Sequence, residues 1–194
     1  MPENTFRQHQ ADENRLPYWV TGSGETVVAI LDTDRVPTRA HALLAAARHV
    51  MVFALPADAT PQEAAHQVGA AVADLGVTRF DLMGEGAGAD AVLWLAVQPQ
   101  AEIGSIVLAA PAGVPDEAFR QITRPVLVLV GTEDKSDAGD RIRALLADCN
   151  FMFVYGAERA IGLDRPEALA FIALEFFERR DLFLVSRESG IELP

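Results

Sequence analysis

Apolar residues along the chain fall into short continuous runs that alternate with longer segments in which apolar residues recur at helical spacing. Near-continuous apolar runs are typical of strands covered on both faces, and their alternation with helix-length segments predicts parallel strands joined by crossover helices. The predicted strands span residues 25–31, 49–55, 79–83, 104–110, 125–130 and 151–155. The predicted helices span residues 38–47, 62–75, 87–97, 138–147 and 166–179. The pattern therefore predicts an α/β fold with a doubly wound, mostly parallel sheet and helices on both of its faces.

The two ends of the chain follow the pattern less regularly. The segment YWVTGSG predicts half of a hairpin leading into the first parallel strand, and DLFLVSR predicts a last strand. The chain has 194 residues and contains no repeat or linker, so we expect a single domain over residues 1–194. Residues 1–17 are polar and mixed in charge, and we expect them to form a flexible N-terminal segment.

Composition narrows the classes of function. The net charge of -12 disfavours nucleic acid and anionic membrane surfaces as partners, because an acidic protein surface repels both. No apolar run approaches the roughly 18 residues of a membrane-spanning helix, so we expect a cytoplasmic protein. A single cysteine, Cys149, excludes an internal disulfide. The histidines are scattered without metal-ligand spacing, and we expect neither a metal nor a cofactor; they are His9, His41, His49 and His66.

The sequence Leu82-Met83-Gly84-Glu85-Gly86-Ala87-Gly88 joins a predicted strand to a predicted helix through a glycine-dense turn. This G-x-G-x-G pattern is closest to the G-x-S-x-G turn that presents a catalytic serine. Such a turn strains the central residue, and its neighbours two places away must be small so that strand and helix can approach. Gly86, at the centre, has no side chain, and we expect it to keep the strained conformation. A dinucleotide site would need G-x-G-x-x-G, which is absent.

The order of elements resembles the α/β-hydrolase fold family over nearly the whole chain. RFDLMGEGAGADAVLWLA followed by SIVLAAP resembles the strand, turn and helix around the nucleophile and the next strand of that family. PVLVLVGTED resembles the strand and loop that present the catalytic acid, and YGAERAIGLDRPEALAFIALEFFER resembles the last strand, the histidine loop and the closing helix. The resemblance implies that the nucleophile, the histidine and the acid would stand at Gly86, Arg159 and Asp134.

The sequence departs from the family at the positions that carry the family's catalytic residues. Gly86 offers no nucleophile, and Arg159 cannot act as a base because its guanidinium stays protonated. Only the acid remains, as Asp134, with no imidazole to orient. The family places an oxyanion-binding turn after the first parallel strand, where Asp32 and Thr33 stand here, and it commonly inserts a cap where only PAGVPDEAFRQITR is found. We therefore expect a small, capless relative without the catalytic serine and histidine.

The resemblance also suggests where a ligand would bind. Glu85 corresponds to a position near the pocket mouth, and the amide of Ala87 opens the helix N-terminus, where it could form a weak anion site. Together with Asp32 and Thr33, these are the candidate binding residues. Simpler alternatives remain open for the charged positions. Glu85 could be a solvated turn residue, Asp134 could end a strand or cap a helix, and Arg159 could pair in solvent with Glu158 or Asp164.

Two functional hypotheses follow. In the first, the chain is catalytically inactive and serves as a scaffold, either binding a small carboxylate or ester-like ligand or associating as a homodimer or as the inert subunit beside an active relative. In the alternative, it is an atypical hydrolase or lyase-like enzyme that uses Asp134, Glu85 or Arg159. A lidless crevice and an apolar closing helix favour a dimer. We also predict a direct ion pair between Arg159 and Asp134, because the family brings these two positions together.

Overall fold

An eight-stranded sheet forms the centre of the protein in a computed structural model that describes residues 6–9, 16–31, 36–56, 58–99, 102–113, 117–146 and 149–183. The strands are β1 (Arg7–His9), β2 (Tyr18–Thr21), β3 (Thr26–Leu31), β4 (His49–Ala54), β5 (Arg79–Glu85), β6 (Glu102–Ala109), β7 (Val126–Gly131) and β8 (Cys149–Val154). Their order across the sheet is β1-β2-β4-β3-β5-β6-β7-β8. Strands β3 to β8 pair in parallel, whereas β1 and β2 pair antiparallel to their neighbours.

Helices connect the parallel strands. They are α1 (Arg39–Leu44), α2 (Pro61–Asp74), α3 (Ala87–Ala96), α4 (Ala138–Leu145), α5 (Ile161–Asp164) and α6 (Pro166–Arg179), with short 3-10 helices at Glu117–Gln121 and Arg180–Phe183. None of the helices in the described part of the chain has the length and apolar character needed to cross a membrane.

The core lies in two layers, one on each face of the sheet. Helices α2, α3 and α4 bury apolar side chains against one face, and α1, α5 and α6 bury theirs against the other. The central strands are buried on both sides, as in β3, where every residue from Val27 to Leu31 is buried. Burial on both faces is the reason for the continuous apolar runs in the sequence. The predicted doubly wound, mostly parallel α/β fold is confirmed.

Local signals set several helix ends. Pro61 and Pro166 each occupy the first position of a helix, where a missing amide hydrogen costs nothing. Thr60 caps α2, because its hydroxyl accepts a hydrogen bond from the amide of Glu63 while the Glu63 carboxylate accepts one from the amide of Thr60. The predicted and observed bounds of the helix at residues 166–179 are the same.

The predicted amino-terminal hairpin is present, but it does not pair with the parallel strand that follows it. Strand β2 lies beside β4 and is not adjacent to β3, the strand that follows it in the chain. Its hairpin partner is β1, which lies within the 1–17 segment that was expected to be flexible. At the other end, residues 181–183 of the predicted last strand belong instead to the 3-10 helix Arg180–Phe183, and residues 184–187 of that predicted strand lie outside the described residues.

Candidate functional site at the glycine turn

The turn between β5 and α3 has the strained geometry expected from the sequence. Gly86 separates the two elements and has φ 58° and ψ -127°. L-residues that carry a side chain rarely adopt this backbone conformation. Its amide donates a hydrogen bond to the carbonyl of Ala109 on β6, at 3.0 Å, and its carbonyl accepts one from the amide of Ala89, at 3.1 Å. The prediction that Gly86 keeps the strained conformation is confirmed.

The flanking glycines allow strand and helix to approach. A Cβ added to Gly84 would lie 2.5 Å from Cα of Ala89, and one added to Gly88 would overlap the carbonyl oxygen of Ile30 on β3. Both obstacles are backbone atoms, which cannot rotate away as a side chain could. Glycine at these two positions is therefore required by the packing of α3 against β3 and β5.

A small cavity of about 40 Å³ lies beside Gly86. It is bordered by Leu31, Thr38, Glu85, Gly86, Arg159, Ala160 and Leu163. At roughly 10–15 Å³ of such space for each water, the cavity has room for about three or four water molecules. The site therefore brings together two of the predicted charged residues, Glu85 from the end of β5 and Arg159 from the loop after β8.

The Glu85 side chain lies between helix α1, which precedes it in the chain, and helix α5, which follows it. Its side chain is only 14% exposed, and Oε1 lies 3.4 Å from Nε2 of His41 on α1. On another side it packs against α5, where a Cβ added to Gly162 would lie 2.6 Å from Oε2. Glu85 is thus a largely buried carboxylate in contact with an imidazole, and the interpretation of Glu85 as a solvated turn residue is wrong.

His41 is fully buried, and its protonation state follows from its hydrogen bonds. The amide of Thr38 donates to Nδ1 at 3.1 Å, so Nδ1 carries no hydrogen in the neutral ring and Nε2 does. The Nε2 hydrogen therefore lies on the side of the ring that meets Glu85. Burial lowers the pKa of His41 to about 4, because a charged imidazolium would be desolvated there. At neutral pH the imidazole that faces Glu85 is therefore neutral.

Asp134 is directed elsewhere. Its carboxylate accepts hydrogen bonds from the amide of Ser136, at 2.8 Å, and from the hydroxyl of Ser136, at 3.1 Å. Within the described part of the chain, no ion pair joins Asp134 to Arg159, so the predicted pair is absent. The physical reason is local: an aspartate in a turn is readily satisfied by donors two residues further along, without a distant partner.

The structure describes only one of the three other predicted binding residues, Ala87. Ala87 begins α3 and is half-buried, but it does not border the cavity. Asp32 and Thr33 lie outside the described residues. The alternative pairing of Arg159 with Glu158 or Asp164 is also not seen, since Asp164 instead accepts a hydrogen bond from the amide of Glu158, at 2.9 Å.

Sequence reasoning missed His41, which it grouped with three scattered histidines. Two signals could have found it. Thr38 and His41 have the three-residue spacing of a helix N-terminal capping box, and the structure has that box. His41 also lies between Ala40 and Leu44 on the buried side of α1, a position at which a histidine is uncommon.

Comparison with known proteins identifies the fold. No family model and no curated protein sequence matches the chain. Among solved structures, a predicted CIB-like hydrolase from Thermoplasma acidophilum is similar with a TM-score of 0.76 and 16% identity, over 91% of this chain and 99% of that one. The His-tagged serine hydrolase CarC, involved in carbazole degradation, is similar with a TM-score of 0.74 and 14% identity, over 91% and 100% of the two chains.

A third structure agrees with these two. An alpha/beta hydrolase enzyme from the metagenome of sediments of the Mar Chica lagoon in Morocco has a TM-score of 0.74 and 15% identity, over 90% of this chain and 99% of that one. Identities this low establish architecture and leave chemistry open. The chain has the α/β-hydrolase fold.

Proposed function

We propose that this chain is a catalytically inactive protein of the α/β-hydrolase fold that acts as a scaffold. The observation that carries the proposal is the glycine at the centre of a retained nucleophile turn. Gly86 has the backbone conformation that would present a hydroxyl, and it has none to present. A site that kept its geometry and carries no nucleophile supports reuse of the fold rather than acyl transfer.

The other two positions of the triad support the same proposal. Arg159 corresponds to the histidine position, and a guanidinium cannot take a proton from a nucleophile at working pH. Asp134 corresponds to the acid position, and its carboxylate oxygens accept hydrogen bonds from Ser136. The general base of Ser-His-Asp chemistry is therefore missing, and the carboxylate that would orient it is hydrogen-bonded within its own turn.

The size of this cavity argues against an ordinary small-molecule ligand at the glycine turn. A space of about 40 Å³ is far below the several hundred cubic ångströms of ordinary small-molecule sites. A small carboxylate held by Arg159 is the largest ligand that this chemistry suggests, and the neighbouring Glu85 carboxylate opposes it. We therefore favour a partner subunit, either a second copy or an active relative, as the functional counterpart of this scaffold.

Hydrolysis of short acyl esters tests the absence of catalysis. We expect the purified protein to release p-nitrophenol from p-nitrophenyl acetate no faster than a buffer blank. The Gly86→Ser variant should be equally inactive, because it restores a hydroxyl without a base. Turnover well above the blank in the wild-type protein, abolished by substitution of a residue at the cavity, would show that the proposal is wrong.

A second candidate function has one observation in its favour. The largely buried Glu85 carboxylate meets the imidazole of His41 at 3.4 Å and shares its cavity with Arg159. A carboxylate base beside a cation that could hold an anionic substrate would suit a hydrolase or lyase-like reaction. If activity is found, its loss in Glu85→Gln and its retention in Asp134→Asn would favour this candidate over the scaffold.

A further inference from the structure

The strand β8 forms one edge of the sheet and is unusually apolar for an edge. Among the described residues it pairs with β7 alone. From Cys149 to Tyr155 the sequence CNFMFVY contains no charge, no proline and no glycine. The Phe153 side chain is 64% exposed, and Tyr155, the next residue after the strand, is 85% exposed. Exposed apolar edge strands of this kind are templates for pairing with another chain.

Strand β1, at the opposite edge of the sheet, has features that protect an edge strand from pairing with another chain. Strand β1 is only three residues long, Arg-Gln-His, and all three residues are exposed. Short, charged edge strands discourage further pairing. The two edges of the sheet therefore differ: β8 is suited to pairing with another chain, whereas β1 discourages such pairing.

Side chains on one face of β8 form an aromatic row. The rings of Phe151 and Phe153 are perpendicular, with centroids 5.2 Å apart. Helix α4 covers Phe151, with the guanidinium of Arg143 at 5.1 Å from the ring centroid, but α4 leaves Phe153 largely uncovered. Among the described residues, the ring contact of Phe153 is with Phe151, and Phe153 is otherwise largely exposed.

We propose that β8 pairs antiparallel with β8 of a second copy of this chain, about a two-fold axis at Met152. In this register Phe153 of each copy lies opposite Phe151 of the other, so each exposed ring gains an aromatic cross-strand neighbour. The two sheets then form one continuous sheet of sixteen strands, which follows from two sheets of eight strands each. The protected β1 edge at each end closes the assembly at two copies.

A second copy fits this edge better than an unrelated partner for two reasons. Pairing about a two-fold axis is self-complementary by construction, and here it matches an aromatic position with an aromatic position. The absence of charge along β8 also lets two molecules of net charge -12 meet without like charges facing each other. This interface rests on the proposed scaffold function in one respect: it identifies the partner subunit of the scaffold as a second copy of the chain.

The mass in solution tests the interface. Light scattering at micromolar concentrations should give twice the 20.9 kDa chain mass for the wild-type protein. Phe153→Lys should halve the measured mass, because it places two ammonium groups beside the axis. Phe171→Lys is the matched control: Phe171 is 66% exposed on α6, and its substitution should leave the dimer intact. A wild-type monomer, or equal effects of the two variants, would overturn the proposal.

A cross-link tests the register and remains decisive if Phe153→Lys fails to fold. In a Cys149→Ser background, Met152→Cys places two thiols opposite each other at the axis, within the Cα separation of about 4.4–6.8 Å that a disulfide needs. We expect oxidation to give a covalent dimer. Phe153→Cys in the same background places the two thiols on diagonal positions and should remain largely monomeric on a non-reducing gel. Equal cross-linking of both, or of neither, would overturn the register.

Ester hydrolysis by the same samples separates the two proposals. A dimer that hydrolyses esters would contradict catalytic inactivity and leave the interface standing. An inactive monomer would contradict the interface and leave catalytic inactivity standing.

Discussion

The imidazole of His41 lies between the start of α1 and the carboxyl group of Glu85 at the end of β5. Its Nδ1 accepts the Thr38 amide hydrogen bond and its Nε2 meets Glu85, so a single ring meets two polar groups from different parts of the chain. Burial holds the ring neutral by lowering its pKa to about 4. A protonated imidazolium at this position would carry its charge out of contact with water. The folded state therefore disfavours protonation of His41.

We predict that His41 makes stability depend on pH between about 6.5 and 4. In the unfolded chain His41 has a pKa of 6.5 and binds a proton as the pH falls below that value, whereas the folded chain binds it only near pH 4. Protons therefore favour the unfolded state in this window, and stability is lost as the pH falls. The expected loss is about 2 kcal/mol in the free energy of unfolding between pH 7 and pH 5, measured by urea denaturation.

The matched controls are two asparagine variants. His41→Asn can still accept the Thr38 hydrogen bond through its amide oxygen and does not titrate, so it should lack this part of the pH dependence. His66→Asn changes an exposed histidine on α2, which is hydrogen-bonded to Gln98, and should keep it. The same pH slope in His41→Asn as in the wild-type protein would contradict the assignment.

The strands β5 and β6 are joined by a buried hydrogen bond at the end of the sheet away from Gly86. The hydroxyl of Ser105 donates to Oδ1 of Asp81 at 2.7 Å, and both residues are buried. The other carboxylate oxygen lies 3.7 Å from Nη2 of Arg180 and 4.0 Å from Nη1 of Arg48. Burial raises the pKa of Asp81, while the Ser105 hydrogen bond and the two arginines act in the opposite direction.

We predict that Ser105→Ala destabilises the protein by about 2 kcal/mol, because it leaves one oxygen of a buried carboxylate without its hydrogen bond. Ser136→Ala is the matched control. Ser136 also donates its hydroxyl to an aspartate, Asp134, but in an exposed loop, and its loss should change stability by no more than about 0.5 kcal/mol. Urea denaturation curves with unchanged slope measure both values. Similar losses in the two variants would mean that burial is not the cause.

Elements with a strong local signal were predictable from the sequence. The helix at 166–179 has a proline at its first position and apolar residues at helical spacing, and its predicted bounds match the structure. The position of β2 beside β4 was not predictable, because a strand's composition does not specify its neighbour. Its pairing with β4 depends on tertiary contacts between Tyr18 and Phe53, whose rings stack with centroids 5.6 Å apart.

The candidate site was predictable where backbone geometry determines it. The glycine spacing correctly predicted the strained turn at Gly86, because only glycines permit that approach of α3 to β3 and β5. The side-chain contacts were not predictable in the same way. Asp134 could be satisfied by a distant arginine or by a nearby serine, and the sequence contains both options. His41 was overlooked because its burial depends on how α1 packs in the folded protein.

At the scale of the whole molecule, the net charge opposes the association of two copies, whereas the β8 edge favours it. Acidic residues outnumber basic ones by 28 to 16, so two copies repel each other at long range. The proposed contact at β8 is uncharged and aromatic, so it supplies no ionic attraction to offset that repulsion. The association of two copies should therefore depend on salt in the direction opposite to that of an ion-paired interface.

We predict that the dimer tightens as salt is added. Raising the ionic strength from about 0.01 M to about 0.15 M shortens the Debye length from about 30 Å to about 8 Å, which screens the repulsion between the two acidic molecules while leaving apolar contacts at β8 intact. The dimer dissociation constant, measured by sedimentation at pH 7, should fall between these conditions. Phe153→Lys should stay monomeric in both. A dimer that weakens as salt is added would mean that opposite charges hold the copies together, and the uncharged β8 edge could not then be the contact.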